Sequence, residues 1–482
     1  MNGQIVINSN TNEALKNYEH KPLGNIRFTS IILLTYNKLE YTKLCIDSIR
    51  KFTPKGQYEI IVVDNNSTDG TVDYLKSQDD LKVIYNDYNA GFPKGCNQGI
   101  EISKGESILL LNNDTIVTPY WLNNLDETLY CNSDIGAVGA ISNSVSNRQK
   151  IDVTYNNIEE MLDFATAINN QDFNGNHELR QKLIGYCFLV KRSVLDKIGL
   201  LDEIFTPGNF EDDDLSFRIL LGGYKLLLCK NVFIHHFGSI SFKEYSENYL
   251  SLLDRNRKKF TEKWGFDISY STTIRSDILS LIDKKHDESF NVLDVGCGTG
   301  STLLHLKNLY KNANLFGIEV NRSSAKIAKT FANVLDVNIE NIELPYERNF
   351  FDYIILGDVL EHLKDPWKVL KVLSKYLKDT GIILASIPNI MHISIISEII
   401  NGHFSYKDAG ILDKTHLRFF TLNEIAKLFA SANLIIDEVY PIPNYNLNEN
   451  EQILLEKICS ITDETLRSQY LSYQYIVKSS KL

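Results

Sequence analysis

No two cysteines in this chain form a C-x-x-C pair: Cys45, Cys96, Cys131, Cys187, Cys229, Cys297 and Cys459 are scattered. That spacing argues against both a zinc knuckle and a disulfide framework. Basic clusters are missing too. The formal net charge is -11 with no Lys/Arg block to offset it, so broad binding along a nucleic-acid backbone is disfavoured. No apolar run approaches the length of a bilayer-spanning helix. The opening stretch, MNGQIVINSNTNEALKNYEH, lacks the basic start and apolar segment of a signal peptide. The expectation is a reducing, cytoplasmic protein with no membrane span, peripheral membrane contact being left open. An internal repeat is absent as well, because the strand ends of the two halves carry different loops.

What is present is a globular composition, 43% hydrophobic and 23% charged, over 482 residues. That length exceeds one ordinary core and points to two or three domains. The segments FTSIILLTYN, YEIIVVDNNSTDGT, LKVIYNDYN and ESILLLNNDT read as four buried strands. Helical stretches lie between them, and in the first, KLEYTKLCIDSIRKF, Tyr41, Leu44, Cys45 and Ser48 form one stripe. This rhythm predicts a parallel α/β sheet. From Asn143 to about Gln181 the pattern loosens into Asn-rich polar sequence. LIGYCFLVKR and LLLCKNVFIHHFG read as later strands, and DRNRKKFTEKWGFD as a charged helix. The strand-helix rhythm restarts at NVLDVGCGTG.

In a parallel sheet the carboxyl ends of the strands gather along one edge, where ligands bind. Here those ends carry Thr35-Tyr36-Asn37, Asp64-Asn65-Asn66-Ser67, Asn89-Ala90-Gly91 and Asn112-Asn113-Asp114. One such end is a polar turn. Four in sequence describe a polar ligand site. Further on, NFEDDDLSFR places Glu211, Asp212, Asp213 and Asp214 before a helix, where Asp213 or Asp214 suits the N-cap. Four adjacent acids repel one another and raise at least one pKa. His235 and His236 are adjacent on a strand, so only one of them faces the site.

Over residues 27 to 265 the ordered set SIILLTYN, IIVVDNNSTDGT, NAGFPKGCNQGI, LLLNNDT, FEDDDLSFR and HHFGSIS resembles family 2 glycosyltransferases of the GT-A fold. The resemblance implies that Thr35, Tyr36 and Asp64 hold the base and ribose of a UDP- or dTDP-linked sugar. Gly91, Lys94 and Asn97 would lie along the nucleotide, with Asn112 and Asn113 in the same site. It implies that Asp114, with His235 or His236, binds Mn²⁺ or Mg²⁺ bridging the two phosphates. Of the family's acidic-x-acidic signature only one carboxylate is present. Asp212 is the implied base that deprotonates the acceptor hydroxyl during inversion. Gly238 and Ser239, just after the histidines, extend the match.

In the second half VLDVGCGTG sets Gly296, Gly298 and Gly300 in a loop after a strand ending near Asp294, and Glu319 closes the next strand. This loop fits NAD or S-adenosylmethionine equally. The run FDYIILGDVLEHLKDPWKVLKVLSKYLKDTGIILASIPN resembles class I S-adenosylmethionine-dependent methyltransferases, a Rossmann-like fold closed by an antiparallel strand pair. By resemblance Asp294, Gly296, Gly298, Gly300 and Glu319 hold the cofactor, Asn338 and Ile339 lie on its adenine side, and Asp358 and His362 lie by its methionine end. His362 serves equally as a packed residue. GILDKTHLRFFT resembles a subgroup found with surface-polysaccharide enzymes and offers Asp413, His416 and Arg418 on the substrate side. His416 is the favoured base, His392 the runner-up, and a salt-bridged lid loop the alternative.

The expected organisation is a polar leader (1–26), a GT-A domain (27–265), a linker (266–275) and a methyltransferase domain (276–482). The expected function is bifunctional. A sugar of the rhamnose or N-acetylglucosamine class is transferred with inversion to a surface glycan, lipid-linked glycan or glycoprotein such as flagellin, and a hydroxyl of that glycan is O-methylated. The alternative is that only one domain is catalytic and the other binds substrate or regulates.

Overall fold

A computed structural model describes residues 3–20, 24–171, 177–238, 246–341 and 343–482. They form two compact units, Met1–Asp267 and Ile268–Leu482.

The first unit is built on strands β1 (Thr29–Thr35), β2 (Tyr58–Asp64), β3 (Leu81–Tyr85) and β4 (Ser107–Asn112). β1 lies between β2 and β4, with β3 outside β2, and all four run parallel. In that register Thr35 stands opposite Asp64, Asp64 opposite Tyr85, and Leu34 opposite Asn112. The polar ends of four apolar runs are therefore neighbours on one edge. The helix Leu39–Phe52 buries Leu44, Cys45 and Ser48 of the expected stripe, together with Thr42, Ile46, Ile49 and Phe52. Tyr41 stays half-exposed and meets the Phe237 ring edge-on at 4.9 Å.

Beyond β4 the direction changes. A two-residue strand β5 (Thr115–Ile116) is followed by β6 (Ile135–Ile141), β7 (His177–Arg180), β8 (Cys187–Lys191), β9 (Lys225–Phe233) and the short β10 (His235–His236). The sheet order is β3-β2-β1-β4-β8-β6-β9-β7. β8 runs antiparallel to both β4 and β6. The sheet is thus mixed, not wholly parallel: an apolar run such as CFLVK reports burial on both faces and carries no information on direction. β5 and β10 pair separately, His236 opposite Thr115 and His235 opposite Ile116.

Within the Asn-rich stretch, Ile158–Asn169 is a helix, more order than the composition suggests. Asn157 caps the helix Ile158–Asn169 by accepting the Glu160 N–H. Asn169, buried at the other end, donates to Thr118 Oγ1 (3.0 Å) and the Pro119 carbonyl (2.7 Å) and accepts from the Phe233 N–H (2.8 Å). Amide side chains here supply the partners that buried backbone requires.

The second unit contains β11 (Asn291–Val295), β12 (Asn314–Ile318), β13 (Asn333–Leu335), β14 (Phe351–Gly357), β15 (Leu377–Pro388), β16 (Leu434–Pro443) and β17 (Ser472–Lys481). Their order is β13-β12-β11-β14-β15-β17-β16. The first five are parallel and β17 is antiparallel to β15 and β16, the expected closing pair. Both faces are packed: Leu293, Ile354 and Ile383 enter one core with Leu370 and Phe429, while Val292, Ile355 and Leu384 enter another with Ile278 and Leu303. No described helix in either unit is long and apolar enough to cross a membrane.

Because Asn169 ties its helix to the end of β9, which leads into the histidine pair, Asn169→Ala is expected to destabilise the first unit by about 3 kcal/mol. Urea unfolding measures it; a loss below about 1 kcal/mol contradicts this anchoring role.

Candidate active sites

At the edge formed by β1 to β4 the polar residues are cross-linked. The Asn65 N–H donates to the Thr35 carbonyl (2.8 Å), and the Asn37 N–H to Ser67 Oγ (2.7 Å). Asp64 is 1% exposed; its Oδ2 accepts the Ser67 N–H at 3.0 Å, while its Oδ1 has no hydrogen-bond partner among the described residues. A buried carboxylate oxygen without a partner is unfavourable unless a ligand donor satisfies it. Thr35 Oγ1 lies 3.3 Å from Thr42 Oγ1, which accepts from Asn113 Nδ2 at 2.9 Å. Tyr36 follows half-buried.

Asp114 is buried at the β4–β5 turn, and His236 Nε2 stands 3.1 Å from its Oδ1 and 3.4 Å from Asn112 Nδ2. The other ring nitrogen, Nδ1, donates to the Ser144 carbonyl at 2.6 Å. A carbonyl only accepts, so Nδ1 carries a proton; Nε2 faces Asp114, donating to the carboxylate when protonated and offering a lone pair beside it when not. Asn143 fixes the His236 backbone through both N–H (2.9 Å) and C=O (3.1 Å), and Tyr186 stacks on the ring. A carboxylate, an imidazole Nε2 and a carbonyl on Nδ1 fit a divalent cation with its orienting second shell.

His235 points to the other face. Its Nδ1 shares a 2.6 Å hydrogen bond with the Tyr155 hydroxyl, and burial, aided by His236, pushes its pKa down to about 3. It is a neutral core residue and not a ligand, as strand alternation requires. Ser239 lies outside the described residues.

The acidic run is divided among separate tasks. The helix Glu211–Leu221 is capped by Phe210 in the left-handed region (φ 76°), so Asp213 and Asp214 sit inside its first turn and neither is the N-cap. The helix starts earlier than the expectation placed it. Asp214 holds Arg218 Nε (2.8 Å), Lys263 Nζ (2.5 Å) and Trp264 Nε1 (3.0 Å), and Asp213 pairs with Lys182 (3.1 Å). Asp212 accepts N–H groups from Gly185 and Asp213, each at 2.9 Å. Burial and the Asp213 charge push it up to about 6. Glu211 is buried with one oxygen unpartnered and is raised well above the usual range by burial and by Asp212.

Of the expected nucleotide contacts, Asn97 is engaged inside the protein and Lys94 lies at the surface. Asn97 donates to the Leu201 carbonyl (2.9 Å) and Glu203 (3.1 Å) and accepts the Leu201 N–H (3.1 Å), which commits its amide hydrogens and one lone pair of its oxygen within the protein. Lys94 Nζ donates to Tyr88 OH at 2.9 Å. Gly91, at φ 80°, lies against Thr206 and Pro207, and a Cβ there would stand 2.8 Å from Pro207 Cα. The sequence reading missed Thr42, Asn143, Ser144, Tyr155 and Tyr186, whose roles depend on partners tens of residues away.

In the second unit, the loop after β11 takes left-handed φ at Gly296, Gly298 and Gly300 (73°, 55° and 80°). At Gly298 a Cβ would come within 2.9 Å of the Ser271 carbonyl, which also accepts the Thr299 N–H at 3.0 Å. Glu319 accepts the Gly298 N–H (2.8 Å) and the Asn321 N–H (2.7 Å), joining the ends of β11 and β12. Asp294 is buried beside it, and burial with the Glu319 charge raises its pKa to about 7. A pair of buried acids next to a glycine loop fits a cationic nucleoside ligand such as S-adenosylmethionine. Asn338 is exposed and accepts the Glu340 N–H, whereas Ile339 is packed in the core.

The Asp358 carboxylate is engaged by Arg275 (2.6 Å), Ser386 (2.8 Å) and Gln474. Arg275, Ser386 and Gln474 were not singled out in the sequence; three distant segments bring them together. His362 packs against His416, ring centroids 4.7 Å apart, with Nδ1 near the Thr415 carbonyl (3.3 Å). His416 Nδ1 lies 2.9 Å from the Ile411 carbonyl. Both residues adjoin Glu361, which is buried. Asp413 accepts the Thr415 N–H and hydroxyl (2.8 and 2.6 Å), and Arg418 donates to the Lys364 and Leu417 carbonyls, so both hold the loop's shape. His392 caps the helix Ile393–Ile400 by accepting the Ser394 N–H, which gives it a structural task in place of runner-up base.

Comparison with known proteins finds one match centred in each half of the chain, the second beginning within the first unit. Residues 30–199 match the family described as Glycosyl transferase family 2, and residues 246–439 match the one described as Methyltransferase domain. Glycosyltransferase AglE of Haloferax volcanii is 25% identical over 231 residues, 46% of this chain and 72% of that one. Malonyl-[acyl-carrier protein] O-methyltransferase of Bacillus anthracis is 33% identical over 113 residues, 23% of this chain and 42% of that one. Among solved structures, the mannosyltransferase PcManGT from Pyrobaculum calidifontis, in complex with GDP-Man and Mn²⁺, has a TM-score of 0.37 at 17% identity, covering 52% of this chain and 70% of that one. Several curated relatives are matched over less than two thirds of their own length, including one at 63% and one at 15%. The chain carries a family 2 glycosyltransferase domain in its first half and a methyltransferase domain in its second.

Proposed function

We propose that the protein is a bifunctional enzyme that transfers a sugar from a nucleotide-diphosphate donor with inversion and O-methylates a hydroxyl of the resulting glycan. The observation that carries the first activity is the pairing of His236 Nε2 with Asp114 at 3.1 Å, oriented from behind by the Ser144 carbonyl. Asp114 and His236 would hold a divalent cation, Mn²⁺ or Mg²⁺, whose charge would neutralise the diphosphate leaving group. Asp64, with its buried unpartnered oxygen, receives a donor N–H of the base, and Thr35 and Tyr36 border it. Asp212 takes the proton of the acceptor hydroxyl: two backbone N–H groups fix its orientation, and a pKa of about 6 leaves it ionised near neutrality yet basic enough to accept a proton.

The second activity is supported by the methyltransferase match and by Asp294, Glu319 and the glycine loop. S-adenosylmethionine supplies the methyl group. The Glu361–His362–His416 cluster, next to the Asp358–Arg275 pair, handles the acceptor hydroxyl. Joining the two domains in one chain raises the effective concentration of each product at the other site. The donor is proposed to be of the rhamnose or N-acetylglucosamine class, linked to UDP or dTDP. The acceptor is proposed to be a surface glycan or glycoprotein such as flagellin, a setting supported by the GILDKTHLRFFT loop.

Calorimetry of the full-length protein with UDP, dTDP and GDP in the presence of Mn²⁺ is expected to show binding of one diphosphate, weakened at least about 10-fold in Asp114→Ala, with methyl transfer unchanged. Unchanged nucleotide binding would make the front domain a docking module. Gly298→Ala is expected to abolish S-adenosylmethionine binding while leaving sugar transfer intact. Sugar transfer should rise with pH through about 6 and then level off, because the base acts when deprotonated. Asp212→Asn should lower kcat by about 10²- to 10⁴-fold without loss of nucleotide binding; a flat pH profile in the wild type would exclude Asp212 as the base.

A further inference from the structure

We propose that Glu361, His362 and His416 form a binding site for a borderline divalent cation of the Zn²⁺ type in the second unit, separate from the cation at Asp114. One ligand atom from each of the three residues lies within 4.8 Å of the others. Glu361 is 1% exposed, and neither of its carboxylate oxygens has a hydrogen-bond partner among the described residues. Its main-chain carbonyl is used, accepting the N–H groups of Leu417 (2.8 Å) and Arg418 (3.0 Å), so the side chain alone is left to be satisfied. Buried carboxylates are paired, hydrogen-bonded or metal-bound.

The histidines are prepared for the same task. His416 Nδ1 faces the Ile411 carbonyl at 2.9 Å and His362 Nδ1 faces the Thr415 carbonyl at 3.3 Å. Carbonyls accept only, and the Thr415 hydroxyl, 3.2 Å from His362 Nδ1, gives its hydrogen to Asp413, so each Nδ1 bears a hydrogen; in the neutral ring each Nε2 then keeps its lone pair, the tautomer that metal-binding histidines take when a second-shell carbonyl holds the far nitrogen. A competing explanation is that the charged neighbours satisfy Glu361. They do not: Asp358 and Asp413 are acceptors like Glu361 itself, and Arg275, the cation beside it, is held by Asp358, Asp277 and Ser386. Two imidazoles and one carboxylate suit Zn²⁺ better than Mg²⁺ or Ca²⁺, which favour oxygen ligands. The ligands come from the turn after β14 and from the 411–421 loop, so the ion would fasten that loop to the sheet edge. Three protein ligands leave a coordination position for an oxygen of the methyl acceptor; this use rests on the methyl-transfer reading, whereas the site itself does not.

The test is metal binding by the full-length chain carrying Asp114→Ala, which removes the proposed front cation. After chelation, this parent is expected to bind one Zn²⁺ per chain, and Co²⁺ to give visible absorption bands of a nitrogen-ligated ion that Zn²⁺ displaces. Glu361→Gln, His416→Gln and His362→Gln, each added singly, are expected to weaken Zn²⁺ by more than about 100-fold while the metal-free proteins keep a cooperative melt. The proposal is overturned if the parent binds no Zn²⁺, or if any variant that still melts cooperatively binds it as tightly as the parent. Methyl transfer is not the readout, so an inactive methylation assay does not bear on the result.

Discussion

Parallel pairing of strands buried on both faces is the constraint from which both candidate sites follow. Such strands must be apolar along their length, so polar residues are displaced to the ends, and parallel register brings those ends together. In the first unit the pairing of β1 with β2 and β4 aligns Thr35, Asp64 and Asn112. In the second, β11 and β12 bring Asp294 beside Gly317 and Val295 beside Ile318, which places Glu319 next to the glycine loop. The chemistry of each half is thereby gathered at one sheet edge before any specific side-chain contact forms.

A second theme is the burial of acids at those edges. Asp64, Glu211, Asp294 and Glu361 are all nearly inaccessible, and Asp64, Glu211 and Glu361 each have at least one oxygen without a partner among the described residues. Burial raises Glu211, Asp294 and Glu361 above the carboxylate range. A raised carboxyl stabilises the fold only while it stays protonated: the contribution is full below the unfolded pKa and is lost as pH rises through the folded value. For Asp294 that window runs from about 4 in the unfolded chain to about 7 in the folded one. Stability and ligand affinity are opposed here, because a cationic ligand or metal ion favours the ionised form that burial disfavours.

Structural acids differ visibly from these. Asp214 is as buried as Asp64, yet Arg218, Lys263 and Trp264 surround it. Within the run Glu211-Asp212-Asp213-Asp214, side-chain partners rather than residue type separate the anchors from the candidate base. The same holds for the histidine pair, where adjacent identical residues face Asp114 and Tyr155 on opposite sides.

The sequence by itself determined where the strands and their polar ends lie, since apolar runs terminated by Asp, Asn or Gly are local features, and it identified both enzyme domains through ordered motifs. It also carried the loop glycines, whose positive φ few other residues tolerate. Strand direction beyond β4 was not legible, because burial on two faces writes the same apolar run in either direction. Nor was the order within the Asn-rich stretch, whose amides become structural only when Thr118, Pro119 and Phe233 come within reach. Tertiary structure alone decided that His236 and not His235 meets Asp114, that Asn97 is an internal strut, and that Glu361 joins two histidines. Each of those outcomes depends on a partner tens of residues away, and local spacing cannot encode a distance that only folding creates.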